Sequence, residues 1–298
     1  MAGGAARPFA SRCPPRRLIL PNHIRVERNG AVATLWIDRR ERFNSMDVET
    51  AQEFRKAGLQ LSRDAAVRCV VVRGSGGVFC SGADLKYIRG LGDEDDFGYL
   101  QPEGVGPAAG FGESFKQILE YLHSAISEFK RSPKPVIAAV EGVAAAGGFG
   151  IAMACDLVFA AESATFEWAY PKTALTGAES STFFLPRLIG LRRALGLMLL
   201  NPRLTAAEAR ELGLINDVFP DDVFEDRVAE VANRLAAGPT RAFGIAKALI
   251  HQAAGVGQLD YHLDEELRAL ARVADGPEFA EGIQAFFEKR TPVFPPPT

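Results

Sequence analysis

The chain is poor in the residues that bind metals or staple small domains. Its four cysteines, Cys13, Cys69, Cys80 and Cys155, stand far apart, and no two share a C-x-x-C spacing. This excludes a zinc ribbon and a disulfide scaffold, and it is the pattern of a protein kept in a reducing compartment. The four histidines, His23, His123, His251 and His262, show no ligand spacing and read as structural or exposed. Positive charge is not in excess either. With 34 Lys and Arg against 37 Asp and Glu, the net charge is −3 and the pI about 5.9, so no basic field attracts nucleic acid or an anionic membrane. Gly (29) and Pro (18) follow no period and no segment repeats, which excludes collagen-like and solenoid architectures. A long uncharged apolar run is also lacking. Val136–Cys155 comes nearest, but Pro135, Glu141 and Gly147–Gly148 make it a buried strand followed by a helix rather than a membrane span.

What is present is an ordinary globular composition, 47% hydrophobic and 24% charged over 298 residues, enough for one large domain with a small appendage. The first twenty residues carry Arg7, Arg12, Arg16 and Arg17 among Pro8, Pro14 and Pro15, with no acid before Glu27. The prolines break any amphipathic presequence helix, so a disordered leader over 1–22 is expected. Ile24–Arg28 and Ala31–Asp38 flank Asn29-Gly30 and read as a hairpin. Asp47–Ser62 has a helical apolar period, and Cys69–Arg73 is a β-branched run buried on both faces. Gly90–Gly112, with seven glycines and the acidic run Asp93–Asp96, is expected to be a mobile loop. A helix near Phe115–Phe129 and a strand at Val136–Glu141 follow. Thr205-Ala-Ala-Glu208 is a capping box whose helix Gly213 closes. Beyond Phe219 the pattern is helical, through 223–237, 240–252, 260–274 and 277–289. The expected organisation is an α/β core over 23–220 and a C-terminal helical module over 221–298.

Two glycine-rich junctions, each following a buried strand, carry the chemical signal: Phe79-Cys80-Ser81-Gly82-Ala83-Asp84-Leu85 and Glu141-Gly142 through Gly147-Gly148-Phe149-Gly150. Small residues there let a ligand approach the backbone, and a helix that begins there offers unpaired N–H groups. Two such junctions from neighbouring parallel strands can aim two N–H donors at one oxygen, as in an oxyanion hole; alone, either one also reads as a tight turn.

With Arg42-Phe43-Asn44-Ser45-Met46, Lys134 through Gly142, Cys155-Asp156-Leu157, Ala164-Thr165-Phe166, Leu185 through Gly190 and Ala285 through Arg290, these stretches resemble the enoyl-CoA hydratase/isomerase family, the crotonase superfamily, from about Ile24 to Phe294. The resemblance implies a spiral of ββα units, a trimer or dimer of trimers with helices 221–298 as the trimerisation module, and an acyl-CoA substrate. It implies no cofactor beyond coenzyme A itself, no metal, no nucleic acid and no membrane. The setting implied is bacterial cytoplasm, or the mitochondrial matrix in a eukaryote. By position, the Ala83 and Gly147 N–H groups bind the thioester oxygen. Arg42, Ser81, Asp84 and Leu85 contact coenzyme A or frame the pocket, Asp84 capping its loop rather than reacting. Phe286 and Lys289 match residues that touch the nucleotide part.

The departures from the family pattern bear on the reaction. Hydratases of the family carry two glutamates where this chain has Gly150 and Tyr170, and neither of these supplies a carboxylate. Gly150 is expected to leave a void for a larger acyl group, with simple packing against a neighbour as the alternative. Other members place a carboxylate at the position of Ala178, next to Glu179, which makes Glu179 the candidate acid/base and Glu167 a weaker second carboxylate. Tyr170, Trp168 and Phe166 are expected to wall the pocket. One carboxylate and an oxyanion hole suffice for isomerisation. Hydration, thioester hydrolysis, and an acyl-CoA-binding scaffold without catalysis are the alternatives.

Overall fold

The computed structural model describes residues 23–90 and 110–296. The expected leader at 1–22 and nearly all of the expected loop at Gly90–Gly112 lie outside the described residues.

Strands β1 (Ile24–Asn29) and β2 (Val32–Ile37) pair antiparallel across Gly30, which adopts the left-handed φ of +57° that Asn-Gly turns require. The remaining strands of the main sheet, β3 (Cys69–Gly74), β4 (Val136–Val140), β6 (Leu157–Ala161) and β9 (Asp217–Phe219), add in parallel, giving the order β1-β2-β3-β4-β6-β9. A parallel sheet needs cover on both faces, and β3 is buried at every position. Val70 and Val72 belong to the core shared with helices α1 (Val48–Arg63) and α3 (Phe111–Arg131). Cys69 and Val71 face the other way, into the cluster built by α8 (Phe224–Ala237).

Local signals set some element ends. Asp47 caps α1 by accepting the Thr50 amide at 2.9 Å, and the Thr205/Glu208 box opens α7 (Ala206–Leu212). The helix expected at 115–129 is longer, because its first turn is held from elsewhere: the Gly112 amide donates to Asp275 at 2.7 Å.

After β4 the chain leaves the main sheet at Gly142 (φ +61°), where a Cβ would stand 2.0 Å from the Gly77 carbonyl oxygen. It then builds a second sheet, β5 (Val143–Ala145), β7 (Thr165–Glu167) and β8 (Arg203–Thr205). The short helix α2 (Leu85–Arg89) follows β3, α4 (Gly147–Ala154) follows β5, and α5 (Ser181–Ile189) and α6 (Leu191–Leu200) lie between β7 and β8. The C-terminal helices α9 (Thr240–Ala253), α10 (Leu259–Ala274) and α11 (Pro277–Glu288) complete the chain, with α10 lying against both α3 and α5. The α/β architecture with a helical C-terminal region is as expected. No helix among the described residues is long and apolar enough to cross a membrane.

Candidate active site

The first junction is tied on two sides. Cys80 joins the second sheet through its amide to the Val143 carbonyl (3.1 Å) and its carbonyl to the Ala145 amide (3.0 Å). Met46 then donates to the Gly82 carbonyl and accepts from the Asp84 amide, both at 2.8 Å. Successive amides of an extended segment face opposite sides. With its neighbours turned to Met46, the Ala83 N–H is turned away from it and pairs with no described residue.

The second junction lies alongside. A Cβ on Gly82 would stand 3.1 Å from the Gly147 nitrogen, and one on Gly148 only 2.1 Å from the Cys80 carbonyl oxygen, so glycine is what lets the two segments close on each other. Gly147 opens α4, where first-turn N–H groups have no intrahelical partner, and its own pairs with no described residue. Ala146 before it is held at φ +47°, ψ −119°, strain of about 1–3 kcal/mol that persists only where the surroundings impose it.

Glu179 completes the arrangement. Its Oε1 lies 2.8 Å from where a Gly147 Cβ would stand, so the carboxyl rests directly on the α-carbon of the second junction. The side chain is 4% exposed, and its Oε2 accepts a 2.5 Å hydrogen bond from the Tyr170 hydroxyl, itself buried. Burial pushes the carboxyl up; the Tyr170 bond pulls it down and the nearby Glu266 carboxylate raises it, leaving it at about 7. Such a group is poised to take and return a proton near neutrality. Burial, with the Glu179 charge beside it, pushes the Tyr170 phenol well above its ordinary value, so it stays a donor.

The other expected residues are distributed as follows. Asp84 is buried; it accepts the Lys86 and Tyr87 amides (2.9 and 3.2 Å) at the start of α2 and is gripped by Arg42 and by Arg39 Nη1 at 2.8 Å. Ser81 and Leu85 lie half-buried beside it. Phe286, half exposed, and Lys289, at the end of α11, sit on the surface of a helix whose other face rests on the turn Tyr170–Thr173 through Gly282.

Gly150 corrects an expectation. No void surrounds it: a Cβ there would meet the Glu179 carbonyl oxygen at 2.6 Å and the Glu179 Cβ at 2.7 Å. The glycine makes room for the segment that carries Glu179, not for an acyl group. Glu167 is spent on structure. Burial opposes its ionisation, but Lys172 and Arg203 (3.2 Å) hold its carboxyl below the usual range, and Asn201 adds a bond at 3.1 Å. Trp168 packs edge-on against Tyr170 and Phe149 and lies over Gly177.

The family model of enoyl-CoA hydratase/isomerase matches residues 27–296. The chain belongs to the enoyl-CoA hydratase/isomerase family. It is 36% identical to the 1,2-epoxyphenylacetyl-CoA isomerase of Escherichia coli K12 over 88% of this chain and 94% of that protein. It is 33% identical to a 4-chlorobenzoyl coenzyme A dehalogenase of Arthrobacter, over 90% and 91%. Its fold superposes on the crystal structure of an enoyl-CoA hydratase from Mycobacterium avium subsp. paratuberculosis with a TM-score of 0.79 at 30% identity, covering 92% of this chain and 99% of that one. Enoyl-CoA hydratase/isomerase relatives thus carry different reactions on one fold.

Two features of this family member escape sequence reading. Glu266, from α10, accepts the Ser180 amide (2.8 Å), the Thr182 amide (2.9 Å) and the Thr182 hydroxyl, just past Glu179. His123 and His262, which have no partner pattern in sequence, stand 3.8 and 3.7 Å from the Glu266 carboxyl. The one available signal was an acid at a core-facing position of α10.

Proposed function

We propose that the protein is an acyl-CoA isomerase in which Glu179 carries a proton between two carbons of the acyl chain while the Ala83 and Gly147 amides hold the thioester oxygen. The observation that carries this reading is the buried carboxyl of Glu179 resting on Gly147, with Glu167 engaged by cations and no acid at positions 150 and 170. On a 3-enoyl thioester, the Glu179 carboxylate takes a proton from C2. The C–H electron pair passes into the dienolate, whose oxygen the two amides stabilise. The protonated carboxyl then returns the proton at C4, and the double bond lies between C2 and C3. In comparable sites, loss of one such amide donor costs about 3–4 kcal/mol. Arg42, Ser81, Leu85, Phe286 and Lys289 are proposed as the contacts to coenzyme A, with Asp84 bracing Arg42, and the assembly is proposed to be a trimer or a dimer of trimers.

Incubation with 2-enoyl- and 3-enoyl-CoA in deuterated water tests the reading. Double-bond migration with deuterium entry and no added oxygen is expected, and Glu179→Gln should lower it at least ~100-fold. Formation of 3-hydroxyacyl-CoA would instead mark a hydratase, free coenzyme A a hydrolase, and binding without turnover a scaffold.

A further inference from the structure

The segment that presents Glu179 is held in a backbone shape its sequence does not favour. Glu179 and Ser180 are consecutive non-glycine residues in the left-handed region (φ +50° and +63°), and the segment opens α5. Ser180 occupies the N-cap position, yet its side chain makes no capping bond. The capping acceptor comes instead from α10. Oε2 of Glu266 takes the Ser180 amide and Oε1 takes the Thr182 amide, while the Thr182 hydroxyl also donates to Oε1 and stands 2.7 Å from His262 Nε2. Glu266 is 4% exposed, and no lysine or arginine pairs with it among the described residues.

We propose that Glu266 is the positioning residue for Glu179: by accepting the Ser180 and Thr182 amides, its carboxyl pins the left-handed turn that sets the Glu179 carboxyl on Gly147. The proposal rests on the reading of Glu179 as the acid/base.

The groups facing this pair come from several elements. Tyr170 donates to Glu179 from its turn, and Cys80 approaches from the first junction with a thiol that burial pushes up to about 12, hence neutral. His123 on α3 faces Glu266 as a neutral ring, since burial pushes it down to about 3, and burial also lowers His262, on the same helix as Glu266. Burial raises the Glu266 carboxyl too, against the bonds it accepts from Ser180 and Thr182, and the Arg187 guanidinium on α5 acts on His262; when ionised, Glu266 places a like charge beside Glu179 and raises it.

The test reads Glu179 directly. In protein labelled with 13C at the glutamate side-chain carboxyl, the Glu179 resonance is identified by its loss in Glu179→Gln and titrated in the wild type and in Glu266→Gln. The titration midpoint of Glu179 should fall by at least about half a unit in Glu266→Gln, because the like charge is gone. The kcat should fall at least ~10-fold with KM changed less than about 3-fold, since the two amides of the oxyanion site are untouched. An unmoved midpoint overturns the proposal even if kcat falls, because loss of packing alone would lower kcat. Glu266→Asp withdraws the same charge by one methylene. It should give a smaller shift in the same direction, and it carries the test if the glutamine variant does not fold; an unmoved midpoint there overturns the proposal equally. The resonance reports on Glu179 whether or not that residue is catalytic, so full turnover in Glu179→Gln would sink the acid/base reading separately.

Discussion

The Tyr170 hydroxyl donates to one oxygen of Glu179, Oε2, while the other, Oε1, lies nearest Gly147. The two oxygens of one carboxyl are thereby made unequal: one is engaged by a fixed donor, and the other rests above the second junction.

A pH dependence follows from this pair. With Glu179 at about 7, kcat/KM should rise with pH through that value and level off once the carboxylate is formed. The Tyr170 bond favours the charged form, so Tyr170→Phe should move this limb to higher pH by at least about half a unit and lower the plateau ~10-fold. A pH–rate profile of the variant that overlays the wild type would contradict the assignment.

The same carboxyl should cost stability. The unfolded chain releases this proton near 4.5, whereas the folded protein keeps it up to about 7. Across that window the native state binds more protons, so stability falls as pH rises. Glu179→Gln removes the effect. Its melting temperature should exceed that of the wild type by at least ~2 °C at pH 8, with the gap closing at pH 4.5. Equal melting temperatures at pH 8 would show that the carboxyl is not held against its ionisation.

Gly150 should tolerate no side chain. A Cβ there needs the space of the Glu179 backbone, so Gly150→Ala should displace the turn, costing about 1–3 kcal/mol in stability and at least ~10-fold in turnover. By the same packing, Gly150→Glu should not create a hydratase. Denaturant melts and product analysis check both, and a stable, active alanine variant would refute the packing account.

Glu167 should separate from the site. With Lys172, Arg203 and Asn201 as its partners, Glu167→Gln should lose about 1–3 kcal/mol in urea denaturation while the acidic limb of the rate profile stays near 7. A displaced limb would return Glu167 to the chemistry.

Residue order alone determined a good deal: the Asn29-Gly30 hairpin, the buried run of β3, the Thr205–Glu208 box and the two glycine junctions. These are short-range matters, decided by turn stereochemistry, side-chain periodicity and capping within a few positions. The acyl-CoA fold family was legible for the same reason, since its motifs sit at strand ends and turns.

Tertiary structure alone decided which carboxyl is poised. Glu167 and Glu179 are both glutamates near small residues in sequence. Only folding seats one between two cations and the other in an apolar enclosure beside Tyr170. It also filled the space expected at Gly150 and brought Glu266 from 86 residues away to pin the turn at Ser180. A proton's affinity depends on solvent exclusion and on charges reaching through space, and neither is written in the neighbours along the chain.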